Sequence, residues 1–245
     1  MLSDNNTIEA RIPNLSNIAV GEIFSEMQAA GFCCIADYIE RDDLKHLQDF
    51  VAETVSRSQN EYVVLKGREA VSGTALEQLS TSPVFHSIFS RLYSLATARP
   101  APPVKFYQIL RCLTGKGSAQ NSLVFHYDSY LITALIPVTI PQSGMRGDFL
   151  LLPNTRKIRT FYIANLLDKI LLDNRITQSI LRRRARTRAR SISRIEMIPG
   201  NLYLFWGYRS VHTNEPCDPH SVRATALFHF FDPHAGSAVK RRLKP

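Results

Sequence analysis

Two stretches decide the reading of this chain: Phe125-His126-Tyr127-Asp128 and, from Pro199 to Phe231, PGNLYLFWGYRSVHTNEPCDPHSVRATALFHFF. In extended backbone alternate side chains point the same way, so His126 and Asp128 offer an imidazole and a carboxylate to one point in space. His212 brings a second imidazole from another strand. Two imidazoles and one carboxylate suit a ferrous ion held on one face, with the opposite positions open. His-x-Asp by itself recurs by chance, and a lone histidine in a strand is more often a satisfied structural residue, so the surroundings must decide.

Working outward, the flanking segments are short, β-prone and separated by Gly, Pro, Asn or Ser: Val104 to Leu113, Leu123 to Phe125, Leu131 to Val138, Phe149 to Leu152, Ser193 to Met197, Leu202 to Trp206 and Val222 to Phe231. Pro199-Gly200 marks a turn. In front of this meander, apolar residues at helical spacing predict helices that lead to Gly31, then over Arg41 to Val55 and Pro83 to Ala96, with a short strand at Phe32 to Ile35. Between the two halves of the meander, Phe161 to Leu181 returns to helical spacing. Ile163, Leu167 and Ile170 lie on one stripe and Leu172, Ile176 and Ile180 on the next, which predicts a long helix inserted in the sheet.

The order of features is distinctive. His-x-Asp comes first, His212 opens a later strand after Pro199-Gly200-Asn201-Leu202-Tyr203-Leu204-Phe205, and Arg223-Ala224-Thr225 begins eleven residues further on. On these residues the chain resembles the iron(II)/2-oxoglutarate-dependent dioxygenases, near the phytanoyl-CoA and prolyl hydroxylase branches. The resemblance covers roughly residues 105 to 231, and more faintly Gly31 to Leu47. It implies a mainly β, α+β fold: a double-stranded β-helix (jelly roll) with helices outside it, as one domain spanning 1–245.

The same resemblance implies roles. His126, Asp128 and His212 would hold Fe(II), with 2-oxoglutarate and O2 as co-substrates. Arg223 would bind the distal carboxylate of 2-oxoglutarate, for which a planar guanidinium is matched bidentately. Thr225 shares its face, and Thr133 and Tyr107 match positions that hydrogen-bond the same co-substrate. Trp206, Tyr130 and Tyr208 are candidates for the substrate wall, with core packing an equal account of Trp206 and Tyr208. The retained carboxylate at Asp128 favours hydroxylation or desaturation over halogenation, because related halogenases carry a small residue there. Asn201 departs from relatives, many of which have Asp.

The net charge of +9 is local. Residues 155 to 194 carry twelve Lys or Arg against two Asp, and the rest is close to neutral. The Arg182 to Arg190 run fits helix, strand or disorder; its arginines would steer an anionic substrate, line an acidic partner or form a solvated face. The competing reading from another class is a nucleic-acid-binding or nucleic-acid-modifying protein. It lacks an interleaved aromatic and basic motif, and nucleic acid is not the expected partner. The expected partner is a small organic molecule of a specialised biosynthetic pathway. Polar Met1 to Asn6 and the absence of a long apolar run predict a cytoplasmic protein without a membrane span. Cys33, Cys34, Cys112 and Cys217 show no disulfide or zinc spacing and read as reduced thiols.

Overall fold

The computed structural model describes residues 12–58, 62–114 and 120–243; the polar start, Met1 to Asn6, lies outside them. Among the described residues, nine strands form two antiparallel sheets. They are β1 (Phe32–Ile35), β2 (Val63–Lys66), β3 (Tyr107–Leu113), β4 (Ile132–Thr139), β5 (Phe149–Leu152), β6 (Ser193–Ile195), β7 (Leu202–Phe205), β8 (Val211–Asn214) and β9 (Arg223–Phe230). The large sheet runs β1-β7-β4-β9-β3-β2 and the small one β6-β5-β8. This is the expected jelly-roll core.

Strand alternation sorts the side chains. On β9, Ala224, Ala226, Phe228 and Phe230 pack outward against helices α1 (Asn17–Ala29), α2 (Arg41–Arg57), α3 (Ala75–Thr81) and α4 (Pro83–Thr97). Arg223, Thr225, Leu227 and His229 face the opposite way, into a cleft between the sheets. On β4, Ile132, Ala134, Ile136 and Val138 join the helix-side core, whereas Leu135 joins Phe149, Leu151, Tyr203 and Phe205 between the sheets. One face of each central strand is therefore apolar throughout, and the other carries the polar residues that must find partners inside. The helix α4 begins as the sequence predicts, with Ser82 accepting from the Phe85 N–H at 3.2 Å and Pro83 in the first turn.

Two expectations are corrected. Leu123 to Phe125 is not a strand. Leu123 has φ +55°, and His126 makes only an isolated bridge to His212. The inserted helix is two helices, α5 (Tyr162–Asp173) and α6 (Arg175–Arg186), split where the Asn174 side chain accepts the Ile176 N–H at 2.7 Å and caps the second.

The helical repeat read from the sequence is present, and the structure shows which residues of it pack. Leu172, Leu181 and Ala185 pack on Phe125, Leu150 and Val211, the outer side of the small sheet, while Ile163, Leu167, Ile170, Ile176 and Ile180 are exposed. The anchors are partly polar. Asp168 accepts from Arg156 (3.0 Å) and Arg159 (2.7 and 3.0 Å), and Lys169 donates to Ser129 at 3.0 Å. The short C-terminal helix α7 (Ala238–Leu243) closes the described chain, and no described helix is long and apolar enough to cross a membrane.

Candidate metal centre

Backbone pairing brings the three candidate ligands together. His126 and His212 exchange both N–H to O=C bonds at 3.0 Å, and the Asp128 N–H is held by the Gly207 carbonyl at 3.0 Å. One ligand atom from each of His126, Asp128 and His212 lies within 4.8 Å of the others. Asp128 Oδ1 stands 3.5 Å from His212 Nε2 and 3.9 Å from His126 Nε2. Both imidazoles are aimed by their other nitrogen: Nδ1 of His126 donates to the Val124 carbonyl at 2.9 Å and Nδ1 of His212 to that of Ser210 at 3.1 Å. A carbonyl only accepts, so each Nδ1 carries the proton and each Nε2 keeps its lone pair for a cation.

The second carboxylate oxygen is fixed from behind. Thr133 donates its hydroxyl to Asp128 Oδ2 at 2.5 Å and sits 3.0 Å from His229 Nδ1. A hydroxyl has one proton, so a one-way chain runs from His229 Nδ1–H to Thr133 and from Thr133 to Asp128. Burial opposes charge on Asp128, but the imidazoles of His212 and His229 hold its carboxyl well below the usual range. Desolvation, followed by the neighbouring His212, pushes His126 down to about 4, although its ring edge reaches solvent at the cleft mouth. The centre is therefore an ionised Asp128 carboxylate beside a His126 imidazole held neutral, and two imidazoles with one carboxylate are the donor set a divalent transition metal takes.

Gly207 makes this close packing feasible: a Cβ there would come within 2.3 Å of Asp128 Oδ2 and 2.4 Å of Thr133 Oγ1. Gly207→Ala is expected to push the carboxylate aside and weaken ferrous-ion binding by about tenfold to a hundredfold, the usual cost of disturbing a ligand's support. Anaerobic titration calorimetry checks this, and an unchanged affinity would mean that the loop moves instead.

The cleft beside the triad has a volume of about 290 Å³. At its far wall stands Arg223, 4% exposed, with Nε donating to the Gly147 carbonyl at 2.8 Å. Among the described residues no carboxylate lies within ion-pair distance of this guanidinium. Burial, then Arg111, pushes it down to about 10, so it stays charged at neutral pH. The Thr225 hydroxyl on the same face is buried with no hydrogen-bond partner among the described residues. A buried cation whose charge no described carboxylate answers, beside a buried hydroxyl with no described partner, forms a receptor for an anionic group. Gly147 (φ +76°) approaches so closely that a Cβ would lie 2.5 Å from Arg223 Cδ.

The other expected residues fall elsewhere. Thr133 supports Asp128 and has its proton committed there. Tyr107 is not on the cleft wall; β3 turns Ile109 and Arg111 to it, while Tyr107 and Tyr130 stack on each other (ring centroids 5.6 Å) and on His229 (5.9 and 5.1 Å). Trp206 is wholly buried edge-on to Phe24, and Tyr208 is buried with its hydroxyl 2.9 Å from His234 Nε2. Both lie in the helix-side core, in keeping with the core-packing account that the sequence also allows for them. Trp206→Ala should cost about 4 kcal/mol of stability in chemical denaturation, as large aromatic deletions from cores do; a loss below about 1 kcal/mol would deny the ring a core role.

Several contributors went unread in the sequence. His229 and Arg111 share the alternation of their strands with Arg223 and Ile109, a signal that was there to be followed. Arg111 donates to the Tyr62 hydroxyl at 2.8 Å and to the Asn121 carbonyl at 3.1 Å. Gln178 of α6 is less legible. Its amide accepts from the Phe125 N–H at 3.1 Å and donates to the Phe125 carbonyl at 2.8 Å, bracing the segment that leads into His126.

No protein-family model matches the chain, and no curated protein matches it either. Solved structures do. A prolyl hydroxylase from Trichoplax adhaerens, in complex with a hypoxia-inducible-factor peptide, aligns over 91% of this chain and 94% of its own with a TM-score of 0.55 at 14% identity. A non-haem α-ketoglutarate-dependent carbocyclase of nogalamycin biosynthesis, SnoK, aligns over 95% and 92% with a TM-score of 0.55 at 17% identity. A prolyl-4-hydroxylase from Pseudomonas putida aligns over 91% and 97% with a TM-score of 0.52 at 11% identity. At such identities the likeness is one of fold alone.

Proposed function

We propose that the chain is an iron(II)- and 2-oxoglutarate-dependent oxygenase that hydroxylates or desaturates a small organic substrate. The observation that carries this reading is a conjunction: a His-Asp-His cluster and, on the same cleft, a buried Arg223 with no carboxylate partner and a Thr225 hydroxyl with no hydrogen-bond partner among the described residues. The donor set fits a ferrous ion on its own chemistry, and the two unanswered groups fit a dicarboxylate whose other end reaches the metal.

In this reading His126, Asp128 and His212 hold the ion, and Arg223 with Thr225 binds the distal carboxylate of 2-oxoglutarate. Thr133 and His229 are positioning residues for Asp128. Bound there, iron(II), 2-oxoglutarate and dioxygen supply the oxidising power, with succinate and carbon dioxide as co-products. The protein contributes aim and exclusion: Leu135, Phe149, Phe205 and Leu227 make the cleft walls apolar, which strengthens the Arg223 contact and keeps bulk water out.

The test is succinate formation from 2-oxoglutarate with and without iron(II) across a compound panel. Wild-type protein should form succinate only with iron, and H126A should form none. Wild-type iron binding and succinate production by H126A would overturn the ligand assignment.

A further inference from the structure

The α5–α6 hairpin presents an apolar face that no described residue of the chain covers. Ile163, Leu167, Ile170 and Leu171 on α5, with Ile176 and Ile180 on α6, are each 49% or more exposed. At 100° per residue, Ile163, Leu167 and Ile170 lie half a turn from packed Asn165 and Leu172, and Ile176 and Ile180 lie half a turn from packed Gln178 and Ala185. Phe161, 74% exposed, extends the face at its start. The hairpin cannot roll to hide it, because Asp168 is clamped by Arg156 and Arg159, and Gln178 by the Phe125 backbone. A contiguous apolar face of this kind marks an interaction surface.

Charge identifies what the face meets. The segment from 155 to 194 carries twelve basic and two acidic residues, and one of the two, Asp168, is used inward. Arg175, Arg182, Arg183 and Arg186 line a groove on α6 together with Asp173. A second copy of this chain would set two strongly positive segments against each other. The aliphatic residues form the outward side of two helices, a convex ridge rather than a recess for a partner's anchoring side chain. A fluid bilayer conforms to a ridge, and its headgroup phosphates answer arginines at the depth where aliphatic side chains enter the acyl boundary.

We propose that the α5–α6 face docks the protein onto an anionic lipid surface, with the Ile and Leu ridge inserted at the interface and the α6 arginines on lipid phosphates. This is interfacial binding, without a membrane span, and it stands independently of the oxygenase reading.

Sedimentation of the full chain with vesicles tests it, in the presence of a chelator so that iron plays no part. Vesicles containing phosphatidylglycerol should pellet the protein, pure phosphatidylcholine vesicles should not, and high salt should release it. L167S/I180S should weaken binding by about tenfold or more through lost apolar burial. R183E/R186E should do so through lost and reversed charge, at about fivefold for each arginine removed. All four positions are exposed, and unchanged circular dichroism melts confirm folding. No pelleting with either vesicle, equal pelleting with both, or variants that bind like the wild type would each overturn the proposal. Self-association without lipid that L167S/I180S abolishes would overturn it in favour of a second copy, and retention of an acidic protein but not of vesicles in favour of a protein partner.

Discussion

His212→Ala should lose ferrous-ion binding by more than about a hundredfold and, with it, all 2-oxoglutarate turnover. Disturbing only the support of a ligand already costs about ten- to a hundredfold, and here the ligand itself goes. His212 also stands nearest the carboxylate, with Nε2 3.5 Å from Asp128 Oδ1. The substitution leaves the backbone bridge to His126 intact, since that bridge uses main-chain groups, so the barrel should still form. Anaerobic calorimetry with iron(II) or manganese(II), a succinate assay and a thermal melt together separate loss of metal from loss of fold. A folded H212A protein with undiminished metal affinity would remove the basis of the proposed centre.

Arg223→Leu should raise the KM for 2-oxoglutarate by about a hundredfold or more, because hydrogen bonds to a charged group contribute about 1.5–3 kcal/mol each and two parallel ones are lost. Stability should move little. The guanidinium is a buried charge with no carboxylate partner, so its removal relieves a desolvation cost that offsets the lost bond to Gly147. Arg223→Lys, which keeps the charge and loses the planar fork, should fall between the two. Binding also reads out as linkage: with metal present, 2-oxoglutarate at about a hundred times its Kd should stabilise the wild type by about 2.7 kcal/mol and leave R223L nearly unchanged. Equal stabilisation of both proteins would place the distal carboxylate elsewhere.

The contrast between these two residues and the rest of the site shows which physics a sequence exposes. His126, Asp128 and His212 were legible through their order along the chain and the resemblance it carries. Arg223 is a polar residue in an apolar, period-two strand, and alternation says that it faces inward. The same argument reaches Thr225 and His229. It fails for Trp206 and Tyr208, which follow the end of β7 in a turn, where no period says which way a side chain points. It fails for Gly147 and Gly207 as well, because their importance is a tertiary distance to Arg223 and to Asp128. In the hairpin the periodicity was legible and the facing was not. Two apolar stripes satisfied the helical repeat, and the face that packs is held partly by Asn165, Asp168 and Gln178, polar residues that no hydrophobic pattern selects.

The amide of Gln178 acts as a splint, lending Phe125 one donor and one acceptor where a neighbouring strand would ordinarily supply both. Trimming the hairpin to obtain a smaller barrel would strand those two main-chain groups in an apolar setting one residue from the first imidazole. Each orphaned group would cost about 1–3 kcal/mol, so shortening the insertion would also disturb the support of His126. By the same linkage, a load placed on α6 from outside would reach the backbone beside His126 through the Gln178 amide.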